Sequence, residues 1–163
     1  MQALWRSAED ALDYAIANEE EAASTYGEFS RQAPNEELKV LFERFAADET
    51  RHRDRLMSLK KGKTLKFSAK AMSDLSRQVA PGAATGKVTT VQAAYEFAVK
   101  AERDANRLYS ILCEMATTQE IRRVFKALAE DEERHRVQID GQLKKLKSEQ
   151  GILTKLFNRT KKG

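Results

Sequence analysis

Cysteine is almost absent from this chain. Cys113 is the only one among 163 residues, so no internal disulfide forms and no thiolate cluster can hold a soft metal. The cytoplasm is therefore the expected compartment. Proline is nearly as scarce, with Pro34 and Pro81 alone, and seven glycines are few enough to leave long helices uninterrupted. No apolar run approaches the ~18 residues of a membrane span. The opening MQALWRSAED lacks the apolar core of a signal peptide. Alternating strand patterns are missing throughout. Lysine and arginine exceed aspartate and glutamate by only four, 29 against 25, so no strong field of one sign surrounds the molecule. These absences leave one soluble, all-α domain of ordinary size, with a hydrophobic fraction of 41% to fill its core.

Helical periodicity divides the chain into four long helices. The first spans residues 7–32, with Ser7 and Asp10 placed as a capping box. Its inward face carries Leu12, Ala15, Ile16, Ala22, Ala23, Tyr26 and Phe29 at steps of three and four. Pro34 breaks it, and Asn35 caps a second helix that reaches about Lys60 with Leu38, Leu41, Phe42, Phe45 and Leu56 inward. Residues 61–89 are irregular, apart from a short amphipathic piece with Ala71, Met72, Leu75 and Val79. A third helix starts near Thr90 and carries Val91, Ala94, Tyr95, Ala98, Ala105, Tyr109 and Leu112. A fourth follows a second capping box, Thr117 with Glu120. It carries Ile121, Val124, Phe125, Leu128 and Ile139 and ends near Lys147.

The chain repeats itself. Shifted by 83 residues, 15–53 aligns with 98–136 without a gap, and 13 of the 39 positions are identical. Glu19 falls on Glu102, Tyr26 on Tyr109 and Phe42 on Phe125. Asp48, Glu49, Arg51, His52 and Arg53 fall on Asp131, Glu132, Arg134, His135 and Arg136. Two helices thus recur as two helices, which predicts a four-helix bundle of two similar hairpins. Glu19 and Glu49 are equidistant from residue 34, and Glu102 and Glu132 from residue 117. Antiparallel helices joined at those turns set each pair at one height. The 29-residue link 61–89 is long enough to run the length of a bundle as a crossover.

One feature conflicts with a plain bundle. Glu19 and Glu102 lie inside the apolar stripes of their helices. Glu49 with His52, and Glu132 with His135, continue the apolar faces of theirs. A single Glu-x-x-His on a helix is ordinarily a solvated surface pair. Here both histidines of the chain have glutamate three residues before them, in inward phase, within a duplication. Buried carboxylates cost several kcal/mol each unless compensated. Two divalent cations cancel four negative charges, and imidazoles complete their shells; i,i+3 spacing sets Glu and His on one helix face. Glu20, Glu21, Glu130 and Glu133 fall off the inward phase and are expected in solvent.

One glutamate from each of two helices, with Glu-x-x-His from each of the other two, is the di-iron carboxylate pattern of ferritin-like bundles. The phrases NEEEAASTY and KAERDANRLY, with DETRH and DEERH, resemble most closely the ferritin-like domain of the rubrerythrin family. The resemblance covers residues 7–147 and implies a ferritin-like antiparallel bundle. It implies that Glu19, Glu49 and His52 form one half of a metal site and Glu102, Glu132 and His135 the other. Glu49 and Glu132 are the implied bridges, and Tyr26 and Tyr109 match the family's tyrosines beside the ligands; simple core packing is the alternative for each. The implied cofactor is two iron ions, oxo- or hydroxo-bridged when ferric, with manganese or zinc as alternatives.

The chain departs from that family in two places. Full-length rubrerythrins add a rubredoxin domain with two Cys-x-x-Cys pairs, and this chain has Cys113 alone. An external electron donor, such as a rubredoxin or a reductase, is expected instead. Rubrerythrins also carry an extra carboxylate one turn from the first ligand of the third helix, where this chain has Val99 and Ala105. A symmetric six-ligand site, more like that of bacterioferritin, is the better match. The resemblance implies reduction of peroxide or O2. Ferrous oxidation linked to iron handling is the alternative, and a non-enzymatic binding module a third. A homodimer is expected, with hairpins closed within one chain or swapped between two. Residues 148–163 are set apart as a basic tail. Together with residues 144–147 they hold seven cations against one acid, with Ile152, Leu153, Leu156 and Phe157 interleaved. The tail is expected to be a solvated end, with docking on nucleic acid or an anionic membrane as the alternative.

Overall fold

The computed structural model describes residues 7–62, 65–78 and 90–160. Its elements are α1 (Ala8–Arg31), α2 (Glu36–Gly62), a short α3 (Ala69–Gln78), α4 (Val91–Met115) and α5 (Gln119–Thr160). No strand occurs among the described residues. Also among them, no helix is long and apolar enough to cross a membrane. The first six residues, the stretch PGAATGK with Val79, and the last three residues lie outside the described set, as do the side chains of Met72, Leu156 and Phe157.

Local chemistry starts each helix where the chain carries a short polar side chain. The Ser7 hydroxyl accepts from the Asp10 N–H at 3.1 Å. Asn35 Oδ1 accepts from Leu38 N–H at 3.0 Å, and Thr90 Oγ1 from Ala93 N–H at 3.1 Å. Each satisfies a donor that the first turn leaves without an intrahelical partner. At α5 the cap is Thr118, not Thr117: its hydroxyl accepts from Ile121 N–H at 3.3 Å. Two adjacent threonines offered the same chemistry, and the turn geometry selects the second. The fourth long helix also continues past Lys147 to Thr160. Residues 148–160 hold no proline, and Lys, Leu, Gln and Glu favour the helix once it is started.

α1 packs along α2, and α4 along α5, with the two hairpins meeting mainly through α2 and α5. The core has two parts. Near one end Leu12, Leu56, Leu108, Leu112, Ile121, Phe125 and Leu128 pack together, joined by Leu65 and Leu75 of the crossover. Near the other, Tyr26, Leu38, Phe42, Phe45, Tyr95, Ile139 and Leu143 do so. α2 and α4 both run from the second cluster towards the first. They are parallel, and the crossover must travel the bundle's length between them. Each large side chain removed from water contributes roughly 1.5–3 kcal/mol. A polar layer separates the two clusters, midway along α1, α2 and α4 and about a third of the way along α5. The architecture is the ferritin-like four-helix bundle of two hairpins.

Candidate metal centre

That layer holds Glu19, Glu49, His52, Glu102, Glu132 and His135. None of the six is more than 5% exposed, which places all of them inside the bundle. Glu19 and Glu102 face it from α1 and α4; the two Glu-x-x-His pairs face it from α2 and α5. The spacing does the placing. An i,i+3 pair stands on one helix face, and His52 Nδ1 lies 3.0 Å from Glu49 Oε2 of its own helix. It also lies 2.9 Å from Glu132 Oε1 of the other hairpin. His135 Nδ1 lies 3.0 Å from Glu49 Oε1 and 3.6 Å from both Glu102 Oε2 and Glu132 Oε2. The two imidazoles are nearly parallel at 20°, their centroids 6.0 Å apart.

These donors form two overlapping sets. Glu19, Glu49, His52 and Glu132 each offer one atom within 4.8 Å of the others, and so do Glu49, Glu102, Glu132 and His135. Glu49 and Glu132 are common to both. Glu49 Oε1, Glu132 Oε1 and His135 Nδ1 are buried without a hydrogen-bond partner among the described residues. Glu49 Oε1 and His135 Nδ1 lie 3.0 Å apart, close enough to bond but out of line for it. Donor atoms gathered within 4.8 Å of one another, three of them without a hydrogen-bond partner, are what a pair of cations requires. The residues present fit such a pair: four carboxylates and two imidazoles, with no thiolate.

Electrostatics describe the same site without a metal. Burial, followed by repulsion from Glu132 and Glu49, pushes the Glu19 carboxyl well above the usual range. Burial likewise raises Glu102, against the pull of the His135 ring 3.6 Å away, and repulsion from Glu132 and Glu49 adds to the rise. Glu49 goes the other way. Burial opposes its charge, yet the His135 and His52 rings beside it bring it down to about 2. Burial opposes charge on the histidines too, but the carboxylates of Glu132 and Glu49 raise His52 to about 10, and those of Glu102, Glu132 and Glu49 raise His135 to about 11. The metal-free layer therefore balances itself with protons: imidazolium on both histidines and neutral carboxyls at Glu19 and Glu102.

Around the six stand two pairs of side chains related by the repeat. Tyr26 donates its hydroxyl hydrogen to Glu102, and Tyr109 donates to Glu19, so each tyrosine reaches across to the other hairpin. Each phenol is buried among apolar rings; Tyr26 stacks on Phe42 at 5.9 Å and Tyr109 on Phe125 at 6.4 Å. Burial and the adjoining carboxylates hold both phenols well above their ordinary pKa, so they stay protonated as donors.

The second pair was not singled out by the sequence. His52 Nε2 lies 3.2 Å from Asp131 Oδ2, and His135 Nε2 lies 3.1 Å from Asp48 Oδ2. Each aspartate is in turn paired with a surface arginine one turn on, Asp48 with Arg51 and Asp131 with Arg134. An Nε2–H held by a carboxylate leaves the Nδ1 lone pair facing the layer, the arrangement that orients a metal-binding histidine. The signal was present: Asp48 and Asp131 are identical under the 83-residue shift. They lie off the inward phase, so only the crossing of α2 over α5 reveals their partners. Of the other carboxylates, Glu20, Glu21 and Glu130 are exposed as expected. Glu133 is half-buried and held by Arg136 at 2.6 and 2.7 Å. Cys113 is also half-buried, its Sγ 3.5 Å from the Arg122 carbonyl.

Among known families, the one whose model is described as Rubrerythrin matches residues 10–140 and, in a second match, 94–160. No curated protein and no solved structure matches the chain.

Proposed function

We infer a function from the fact that this chain belongs to the rubrerythrin family: it holds two iron ions in the buried layer and reduces peroxide with electrons from an external donor. The observation that carries this reading is the double donor set with two shared members. Glu49 and Glu132, common to both sets, would be shared between the two ions; Glu19 with His52 would complete one set and Glu102 with His135 the other. Two ferrous ions, when bound, supply two electrons together, which is what cleavage of an O–O bond consumes. The chain's own residues supply the rest. Asp131 and Asp48 fix the tautomer and tilt of His52 and His135. Tyr26 and Tyr109 hold Glu102 and Glu19 in place through Oη–H donors that stay protonated. The apolar clusters above and below keep water from the layer along the bundle axis and strengthen every charge interaction inside it. The 163 residues contain no second cysteine, so no rubredoxin-type centre lies within them, in keeping with a separate donor.

Anaerobic Fe(II) loading followed by stopped-flow absorbance tests the reading. Two Fe(II) per chain and oxidation by H2O2 at least tenfold faster than by O2 are expected. Rapid O2 consumption with continued Fe(II) turnover replaces it with ferroxidase chemistry, and no uptake of metal with a binding role. A second expectation concerns the aspartates. Asp48→Ala and Asp131→Ala should each weaken Fe(II) binding about 10–100-fold in competition with a chelator, the usual cost of losing a histidine's orienting partner. Asparagine, which still accepts from Nε2–H, should restore part of that loss. Unchanged affinity in both alanine variants removes the aspartates from the site.

A further inference from the structure

The layer is open on one flank. α1 and α4 each pack on their own hairpin partner but not closely on each other. Between them a cleft of about 190 Å³ runs in from the surface to Glu19, Glu49, Glu102 and Glu132. Its floor is polar: the four carboxylates and the hydroxyls of Tyr26 and Tyr109. Its inner walls are mostly apolar: Ala22, Phe97, Ala101, Ala105 and Leu108 line them, with Tyr14 and Thr25, while Asn18 and the exposed Glu21, Lys100 and Asp104 also border the cleft. The alanines matter most. Ala22 and Ala105 correspond under the 83-residue repeat, each one turn after Glu19 or Glu102, and larger side chains there would close the space above the carboxylates. The opposite flank, between α2 and α5, is different: Arg44, Arg51, Arg55 and Arg134 surround Asp48 and Asp131, and that surface is cationic rather than apolar.

Hydrogen peroxide has two heavy atoms and no apolar surface. It needs neither a cleft of this volume nor hydrocarbon walls. A molecule that suits both ends has a small polar head for the floor and an apolar body for the walls. We propose that the α1–α4 cleft is a binding site for organic hydroperoxides, ROOH, with the peroxy group at the carboxylate floor and R between Ala22, Ala101, Ala105 and Leu108. This rests on the peroxide-reducing reading above and names its substrate class. The step is ROOH + 2 Fe(II) + 2 H⁺ → ROH + H2O + 2 Fe(III). The O–O bond breaks and two O–H bonds form: one completes the alcohol, and the other joins the O–H already on the outer oxygen to make the water. Two electrons come from the two ferrous ions, and two protons enter from solvent through the cleft mouth. The external donor then reduces both ferric ions.

Two measurements on the full chain test the proposal. The first needs no turnover: the chain, labelled at alanine and leucine methyls, is titrated with cumyl alcohol, the alcohol product of cumene hydroperoxide. Shifts concentrated at Ala22, Ala101, Ala105 and Leu108 are expected. The second compares oxidation of the Fe(II)-loaded chain by cumene hydroperoxide and by H2O2. Rate constants within about tenfold of each other are expected. Ala101→Leu with Ala105→Leu should lower the ratio of the first to the second at least tenfold. Cumene hydroperoxide more than a hundredfold slower than H2O2, with no methyl shifts, overturns the proposal and leaves peroxide reduction standing. Methyl shifts with a ratio unaffected by the leucines also overturn it. If neither peroxide oxidises the loaded chain, the peroxide-reducing reading fails, and the substrate proposal with it.

Discussion

The double substitution Glu19→Gln, Glu102→Gln is expected to raise the melting temperature of chelator-treated protein at pH 8 while abolishing binding of two metals. In the folded, metal-free chain these two carboxyls are held neutral, chiefly by burial and also by the charges of Glu49 and Glu132. Unfolded, they ionise in the ordinary carboxylate range. At pH 8 folding must therefore either protonate them or bury their charge, and both cost stability. Glutamine is neutral in both states, so that cost disappears. Its side-chain oxygen still accepts from Tyr109 or Tyr26, so neither hydroxyl is left unpaired. Relief of two buried carboxylates is worth roughly 2–4 kcal/mol, and in a domain of this size that is a rise of about 5–15 °C. The same amide is a poor metal ligand, and each donor set loses its unshared carboxylate. Melting curves of metal-free wild type and double variant at pH 8, with Fe(II) titrations of each, give the answer. A metal-free variant that melts well below wild type would show that the two glutamates are not a destabilising feature of the core.

How far the sequence led depends on which kind of information each feature carries. The six buried polar residues were legible because three signals coincide on them: helical phase, the Glu-x-x-His spacing and the gap-free duplication. The hairpin turns at Pro34 and residue 117 were legible for a similar reason, since equidistance from a turn converts sequence numbers into height. The short helix in the crossover was legible from its amphipathic spacing, and Leu75 from it is fully buried. Three features were not. Thr117 and Thr118 are chemically equivalent caps, and only the turn between α4 and α5 chooses between them. The end of α5 depends on how long a helix without proline persists past Gly151, which propensities of up to about 1 kcal/mol per residue settle poorly. The partners of Asp48 and Asp131 are set by α2 crossing α5, a long-range contact with no local periodicity to announce it. The α1–α4 cleft is hidden likewise, since Ala22 and Ala105 read from sequence as ordinary inward alanines.

Metal should invert the pH dependence of stability. Consider first the metal-free chain between pH 5.5 and 8. Glu19 and Glu102 have folded pKa values above their unfolded ones, so what they contribute is present when protonated and lost as pH climbs through the raised values. His52 and His135 are raised from 6.5 to about 10 and about 11. Their contribution is complete below pH 6.5 and declines above it, because the unfolded imidazoles release protons that the folded ones keep. Glu49, brought down to about 2, acts in the opposite sense, but its contribution is already present above about pH 4.5 and is lost only in acid, outside this window. Every changing contribution in the window therefore falls with pH. One extra bound proton costs about 1.4 kcal/mol per pH unit, so the histidines alone weaken the fold by roughly 2–4 kcal/mol between pH 6.5 and 8. That corresponds to a melting temperature about 5–15 °C lower. Metal binding requires the opposite protonation state. Bare carboxylates at Glu19 and Glu102 and free Nδ1 lone pairs on both histidines mean that up to four protons leave as two cations enter, so affinity rises with pH. The loaded chain is stabilised most where the metal-free chain is weakest. At a hundred- to thousandfold excess of metal over Kd, the gain is about 3–4 kcal/mol. Melting at pH 5.5, 6.5 and 8 with chelator and with anaerobic Fe(II) separates the two slopes, and calorimetric titration in buffers of different ionisation enthalpy counts the protons. A metal-free chain that melts higher at pH 8 than at pH 5.5, or metal binding that releases no proton, is incompatible with a layer balanced by imidazolium and neutral carboxyl groups.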